Sequence, residues 1–96
     1  MSDEKQYFST RDLYMATSLI SLGFSMTQID YQVEGERRLP VGYFQFENNS
    51  ALIETLNKYR QGQLLIEPRT FSTNLRALKS EITNQYKNPH NNSDNN

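Results

Sequence analysis

The 96-residue sequence contains no cysteine and only one histidine, His90. Without cysteine, the chain cannot form disulfide bonds, thiol-based active sites or cysteine-ligated zinc and iron–sulfur sites. His90 lies in an asparagine-rich terminal segment, where nothing would hold it in a catalytic site. The four glycines are isolated from one another, so no glycine-rich phosphate-binding loop is present.

The only candidates for acid–base chemistry are three carboxylates of the predicted strands, Asp30, Glu34 and Glu47. Acidic residues on a polar strand face are usually its solvated side, and no histidine or cysteine lies near them. We therefore predict a protein that is not an enzyme, with no catalytic, cofactor-binding or metal-binding residues.

Long apolar runs are also lacking. The longest uncharged segment, residues 13–29, contains several serines, threonines and a glycine, whereas a membrane-spanning helix needs about 20 mostly apolar residues. The first residues are acidic and polar, unlike a signal peptide. We expect a soluble cytoplasmic protein that does not bind a membrane.

Both ends of the chain have compositions typical of disorder. Residues 88–96 contain five asparagines and no apolar side chain, and residues 1–6 are similarly polar. Such segments cannot bury enough surface to offset their ordering entropy. We predict a disordered N-terminus over residues 1–6, one globular domain over residues 7–87 and a disordered tail over residues 88–96.

The net charge of −1 conceals an asymmetry along the chain. Residues 1–57 contain eight acidic and four basic side chains, whereas residues 58–87 contain two acidic and six basic ones. Such an imbalance between halves is a modest sign of a charged partner.

Hydrophobic periodicity predicts a small α+β domain. Residues 26–34 alternate between apolar and polar, and residues 41–47 form a second strand, so we expect a β-hairpin with Arg37 and Arg38 near its tip. A second helix follows over residues 48–62, and Pro68 starts the last helix. The apolar segment 63–66 fits a third, edge strand or a loop equally well. The predicted fold is helix, β-hairpin, helix and helix, with an antiparallel sheet covered by the helices. Its covered face would carry Ile29, Tyr31, Val33, Phe44 and Phe46.

The tripeptide Phe-Ser-Thr occurs twice, at residues 8–10 and 71–73. In the first copy, Ser9 has the spacing of a helix N-cap and Phe8 that of a hydrophobic staple, which predicts a helix over residues 10–22 ended by Gly23. In the second copy, Phe71 lies inside the helix that begins near Pro68. Because almost nothing else matches between the two segments, we infer no internal repeat and no duplicated site.

One face of the first predicted helix is polar but uncharged. It carries hydroxyl groups and no Lys or Glu, and its members are Tyr14, Thr17, Ser18 and Ser21. Either the helix is covered on most sides by its own domain, or this face is an interface with a second copy or another protein.

The last helix has a basic stripe opposite its apolar seam. At 100° per residue, Arg69, Arg76 and Lys87 fall within about 20° of one another, with Lys79 beside them. Arginine, lysine and hydroxyl side chains are usual phosphate ligands, although a solvated helix face also looks like this.

Three segments together carry a resemblance to a known family: YFSTRDLYMATSLISLGF, GYFQFE and EPRTFSTNLRALKSEITNQY. With these segments, residues 7–87 resemble a family of short prokaryotic and phage proteins that is catalogued only as a domain of unknown function. The resemblance implies a self-contained domain and brings no activity, cofactor or site residues.

Two functions therefore remain open. The first is a nucleic-acid-associated accessory protein that binds DNA or RNA phosphates through Arg69, Arg76, Lys79 and Lys87, with Arg37 and Arg38 assisting. The low isoelectric point of about 5.7 argues against a dedicated DNA-binding domain. The second is a protein-interaction or homodimeric assembly module that uses the uncharged face of the first helix.

Overall fold

The computed structural model describes residues 6–33, 35 and 40–87, the side chains of residues 86 and 87 excepted. Both predicted disordered termini lie almost wholly outside these residues. The elements in chain order are β1 (Tyr7–Thr10), α1 (Leu13–Ser21), β2 (Met26–Gln32), β3 (Val41–Glu47), α2 (Ser50–Arg60) and α3 (Pro68–Lys87). The prediction of a small α+β domain with an antiparallel sheet is confirmed.

The sheet has the strand order β1-β3-β2, and both pairings are antiparallel. Phe44 of the central strand lies opposite Ile29 of β2 and Thr10 of β1, and Phe46 lies opposite Phe8. Because directly opposed residues point to the same face, these side chains form the face that the helices cover. Phe44 and Phe46 are fully buried against Ala16, Leu19, Leu52, Leu56 and Leu78 of the helices.

The first strand corrects the prediction for the start of the chain. Residues 7–10 pair with β3, so Ser9 is an exposed strand residue and not a helix cap. The N-cap of α1 is Asp12, whose carboxylate oxygen Oδ1 accepts hydrogen bonds from the backbone N–H groups of Tyr14 (3.0 Å) and Met15 (3.2 Å). Phe8 therefore contributes to the sheet core and does not serve as a staple. The physical reason is that an extended Tyr-Phe-Ser-Thr segment fills the open edge of β3, while Asp12 is as good a cap as serine.

The hairpin was predicted correctly in its strands and only partly in its covered face. Val33 is 66% exposed and lies just beyond β2, so it does not belong to the core. A β-bulge between Met26 and Gln28 makes Thr27 the extra residue, and the Thr27 hydroxyl donates to the backbone carbonyl of Gln45 (3.1 Å). The bulge breaks the strict alternation that was predicted along residues 26–34.

The end of α1 agrees with its prediction. Gly23 has φ = +102°, a conformation that favours glycine. The N–H groups of Phe24 and Gly23 donate to the carbonyls of Leu19 and Ile20, both at 3.0 Å. These two bonds form a Schellman motif, which turns the chain from α1 into β2.

The second helix begins after its N-cap Asn49, whose side-chain oxygen accepts from the N–H of Leu52 (2.9 Å). Leu52 and Leu56 are the buried residues of this helix. Residues 63–66, where an edge strand was one alternative, contain no strand. The third strand of the sheet is instead β1, which pairs with the side of β3 opposite β2.

Candidate nucleic-acid interface

Helix α3 begins where proline predicts it, and Glu67 caps it. Pro68 occupies the first helical position, and the backbone carbonyl of Glu67 accepts from the N–H of Phe71 (3.0 Å). The Glu67 carboxylate oxygen Oε1 accepts from the backbone N–H of Thr70 (2.7 Å) and from the Thr70 hydroxyl (2.8 Å). This role was not predicted from the sequence. The signal for it was a glutamate immediately before a proline at the first helical position, with a threonine three residues after the glutamate.

The cap has an electrostatic consequence. Hydrogen bonds from Thr70 and from the backbone of Arg69 lower the pKa of the Glu67 carboxyl below its usual value. The negative charge of Glu67 therefore occupies the place at the helix N-terminus where an anion would otherwise bind. Any phosphate contact on α3 must come from its side chains.

One side of α3 is held firmly in the domain. The ring of Phe71 stacks on that of Tyr14 of α1, with centroids 6.5 Å apart and an interplanar angle of 8°. The Asn74 amide donates to the Ser21 hydroxyl (3.1 Å), and Leu78 is 5% exposed. These contacts fix which face of α3 points outward.

The outward face carries the predicted basic stripe. Arg69, Arg76 and Lys79 are all exposed. We call the surface formed by these three residues the basic face of α3. Lys87 is the last residue of α3, but its side chain lies outside the described part of the chain. Arg37 and Arg38 also lie outside it, so the structure does not relate the hairpin tip to α3.

No carboxylate of α3 lies on this face. Viewed down the helix axis at 100° per residue, the basic face and the polar side chains beside it occupy an arc of about 140°, with Lys79 at one end and Asn84 at the other. Glu81, the only acidic residue within α3, lies about 60° beyond Asn84 and so outside this arc. The neutral residues of this arc include hydroxyl side chains that are also exposed, Ser72, Thr73, Ser80 and Thr83. All of these groups can donate hydrogen bonds to phosphate oxygens.

The uncharged face of α1 packs within the chain. Thr17 is fully buried and Ser18 is 4% exposed. Their hydroxyls donate to the carbonyls of Leu13 and Tyr14, both at 2.8 Å, within the same helix. Because Tyr14 and Ser21 at the two ends of this face contact α3, α3 covers it. The alternative that this face meets a second copy stays a prediction, and of its four residues only Tyr14 is exposed, at 53%.

The candidate carboxylates of the sheet do not form a close pair. Asp30 lies opposite Tyr43, whereas Glu47 lies four residues further along β3, which corresponds to about 13 Å. Glu34 lies outside the described residues. Within residues 6–33, 35 and 40–87, no group of three or more His, Cys, Asp or Glu side chains could hold a metal ion. No described helix is long and apolar enough to cross a membrane.

Comparison with known proteins bears on the resemblance noted in the sequence. The model of a family described as a domain of unknown function (DUF5659) matches residues 5–84, most of the chain. The chain belongs to this family. No curated protein and no solved structure matches it. Membership in the DUF5659 family assigns no activity, so a function must be argued from the surfaces of the chain itself.

Proposed function

We propose that this DUF5659 member is a nucleic-acid-associated accessory protein, which contacts phosphates of DNA or RNA through the basic face of α3. One observation carries the proposal: three exposed cations share a face without carboxylates on a helix whose other side is fixed in the core. A solvated helix that only needed solubility would usually mix both signs of charge.

The dimensions of α3 suit this role. A helix of 20 residues is about 30 Å long. Arg69 and Arg76 are separated by about 10.5 Å along the axis, and Lys79 follows about 4.5 Å later. The cations therefore form a row about 15 Å long that can follow a phosphate backbone, and the major groove of B-DNA is wide enough to admit an α-helix.

The other charges help to orient the molecule. Asp30 and Glu47 lie on the sheet face opposite the buried phenylalanines, because their register partners Tyr43 and Tyr7 alternate with those residues. Repulsion between the Asp30 carboxylate and phosphates favours the approach of α3. With a net charge of −1, we expect weak binding that depends strongly on salt.

Fluorescence anisotropy with labelled single-stranded DNA, duplex DNA and RNA in low salt tests the proposal. If three phosphates are contacted on duplex DNA, log K should fall with log salt at a slope of about −2.7. A fourfold rise in salt would then weaken binding about 40-fold. Arg76→Ala should reduce the slope by about one unit and weaken all sequences alike, because phosphate contacts carry no base information.

Arg60→Ala is the matched control, because Arg60 is an exposed arginine at the end of α2 and lies off the basic face. It removes the same charge and should leave the slope nearly unchanged. The proposal fails if none of the three nucleic acids binds at micromolar protein in low salt, or if both arginine variants weaken binding equally.

A further inference from the structure

The outer edge of β2 is open among the described residues. The central strand β3 has β1 on one side and β2 on the other, and no described strand pairs with the far side of β2. An edge strand presents unpaired backbone N–H and C=O groups, which can accept a further strand. The bulge at Thr27 interrupts the start of β2, so residues 28–32 form its regular part.

A groove of about 390 Å³ lies beside this edge, between β2 and α3. Its strand side includes Met26, Ile29 and Tyr31, and its helix side is formed by Ala77, Leu78 and Glu81. An apolar cavity of about 150 Å³ is large enough for benzene, so this groove has room for one or two apolar side chains. The small side chain of Ala77 leaves the groove open at its helix side.

The charge of the groove favours one kind of occupant. Glu81 is the only charged residue among those lining it in the described part of the chain. Lys79 lies about 160° from Glu81 around the helix, on the opposite flank. The strand β2 itself, Met26–Gln32, contains Asp30 and no basic residue.

A second copy of the chain suits this edge poorly. Antiparallel pairing of residues 28–32 with the same residues of another copy would place Asp30 opposite Asp30, with no lysine or arginine from either strand. Like charges placed opposite each other across strands are destabilising. A partner segment that carries a cation would instead be attracted.

We propose that the groove between β2 and α3 binds an extended peptide segment of another protein, in which an apolar residue and a lysine or arginine lie two positions apart and so point to the same face. The peptide backbone pairs with residues 28–32 of β2. Its apolar side chain lies between Ile29 and Leu78, and its cation lies near Glu81. Addition of a strand to an open sheet edge is a known mode of peptide recognition. This inference does not rest on the proposed binding of nucleic acid.

The test is a selection of displayed random nonapeptides on the full chain, followed by affinity measurement with the synthetic selected peptides. We expect alternating apolar residues and at least one lysine or arginine in the enriched sequences. Ala77→Phe should fill the groove from an exposed position and weaken these peptides at least tenfold, without lowering the melting temperature. The same variant should leave binding of duplex DNA unchanged.

Charge reversal gives the matched comparison. Glu81→Lys should weaken the cationic peptides at least tenfold and improve versions in which glutamate replaces the cation. Glu54→Lys makes the same change of net charge on an exposed position of α2, away from the groove, and should alter affinity less than twofold.

Three results would overturn the proposal. One is a selection that enriches no peptide for the wild type over Ala77→Phe. Another is an equal loss of peptide affinity in Glu54→Lys and Glu81→Lys. The third is a dimer of the wild type that Ala77→Phe dissociates in sedimentation, which would assign the groove to a second copy.

Discussion

Replacing Asp12 by alanine should destabilise the domain measurably, whereas replacing Ser9 should not. Asp12 is the N-cap of α1, and its Oδ1 accepts from two backbone N–H groups, those of Tyr14 and Met15. Its other carboxylate oxygen lies 3.4 Å from the hydroxyl of Tyr59 at the end of α2. The burial of Tyr59 and, after it, the charge of Asp12 raise the pKa of that phenol. Asp12 therefore joins the first turn of α1 to α2.

The expected magnitude follows from these contacts. Loss of an N-cap side chain costs about 1 kcal/mol of unfolding free energy, within a range of about 0.5–2. Loss of the negative charge at the helix N-terminus adds about 0.3–1 kcal/mol. Asp12→Ala should therefore cost about 1–2 kcal/mol. Asp12→Asn keeps the hydrogen bonds and should lose only the charge contribution.

Thermal unfolding followed by circular dichroism measures the difference. For a domain of this size, 1 kcal/mol shifts the melting temperature by about 4–8 °C, so Asp12→Ala should melt roughly 5–15 °C lower. Ser9→Ala should change the free energy of unfolding by less than about 0.5 kcal/mol, because Ser9 is an exposed residue of an edge strand. Equal losses in the two variants would refute the assignment of the cap to Asp12 alone, and a larger loss in Ser9→Ala would show that Ser9 starts the helix in solution.

Two further predictions concern buried and titrating groups. Ser18→Glu should destabilise the chain by about 3 kcal/mol or more, because it forces a carboxylate into a position that is 4% exposed. Urea unfolding measures this loss. A variant that remains stably folded would instead favour α1 as a surface for another molecule. The pKa of Glu67 is lower in the folded chain than in the unfolded chain, so the folded chain binds this proton less readily. The stabilisation from Glu67 is therefore complete above the usual glutamate pKa and is lost as the pH falls through the lower pKa of the folded chain. Melting temperatures measured from pH 7 to pH 3 should fall less for Glu67→Gln than for the wild type, and parallel curves would refute the cap.

Much of the fold follows from local patterns in the sequence. Alternation predicted β2 and β3, Gly23 and its following phenylalanine predicted the end of α1, and Pro68 predicted the start of α3, because each signal acts over only a few residues. The four-residue strand β1 was missed, since its stability comes from pairing with β3, some 34–40 residues away in the chain. Both Ser9 and Asp12 can cap a helix, and only the long-range pairing decides between them.

The candidate site, too, was predicted only in part from local patterns. Helical periodicity correctly placed Arg69, Arg76 and Lys79 on one exposed face, because the apolar seam of α3 fixes the opposite side. Periodicity could not decide what covers the hydroxyl face of α1. Thr17 and Ser18 satisfy their hydroxyls by donating to carbonyls one turn earlier in their own helix, so they can be buried without a polar partner from elsewhere.

Helix α3 separates two surfaces of opposite charge. Its core-facing side chains, Phe71, Asn74 and Leu78, fix its rotation. That rotation directs Arg76 outward and the next residue, Ala77, toward the groove beside β2. Successive helical residues are about 100° apart, so Arg76 and Ala77 can contact different partners without competing for space. A nucleic acid on the basic face and a cationic peptide near Glu81 would also attract each other, so each should favour binding of the other.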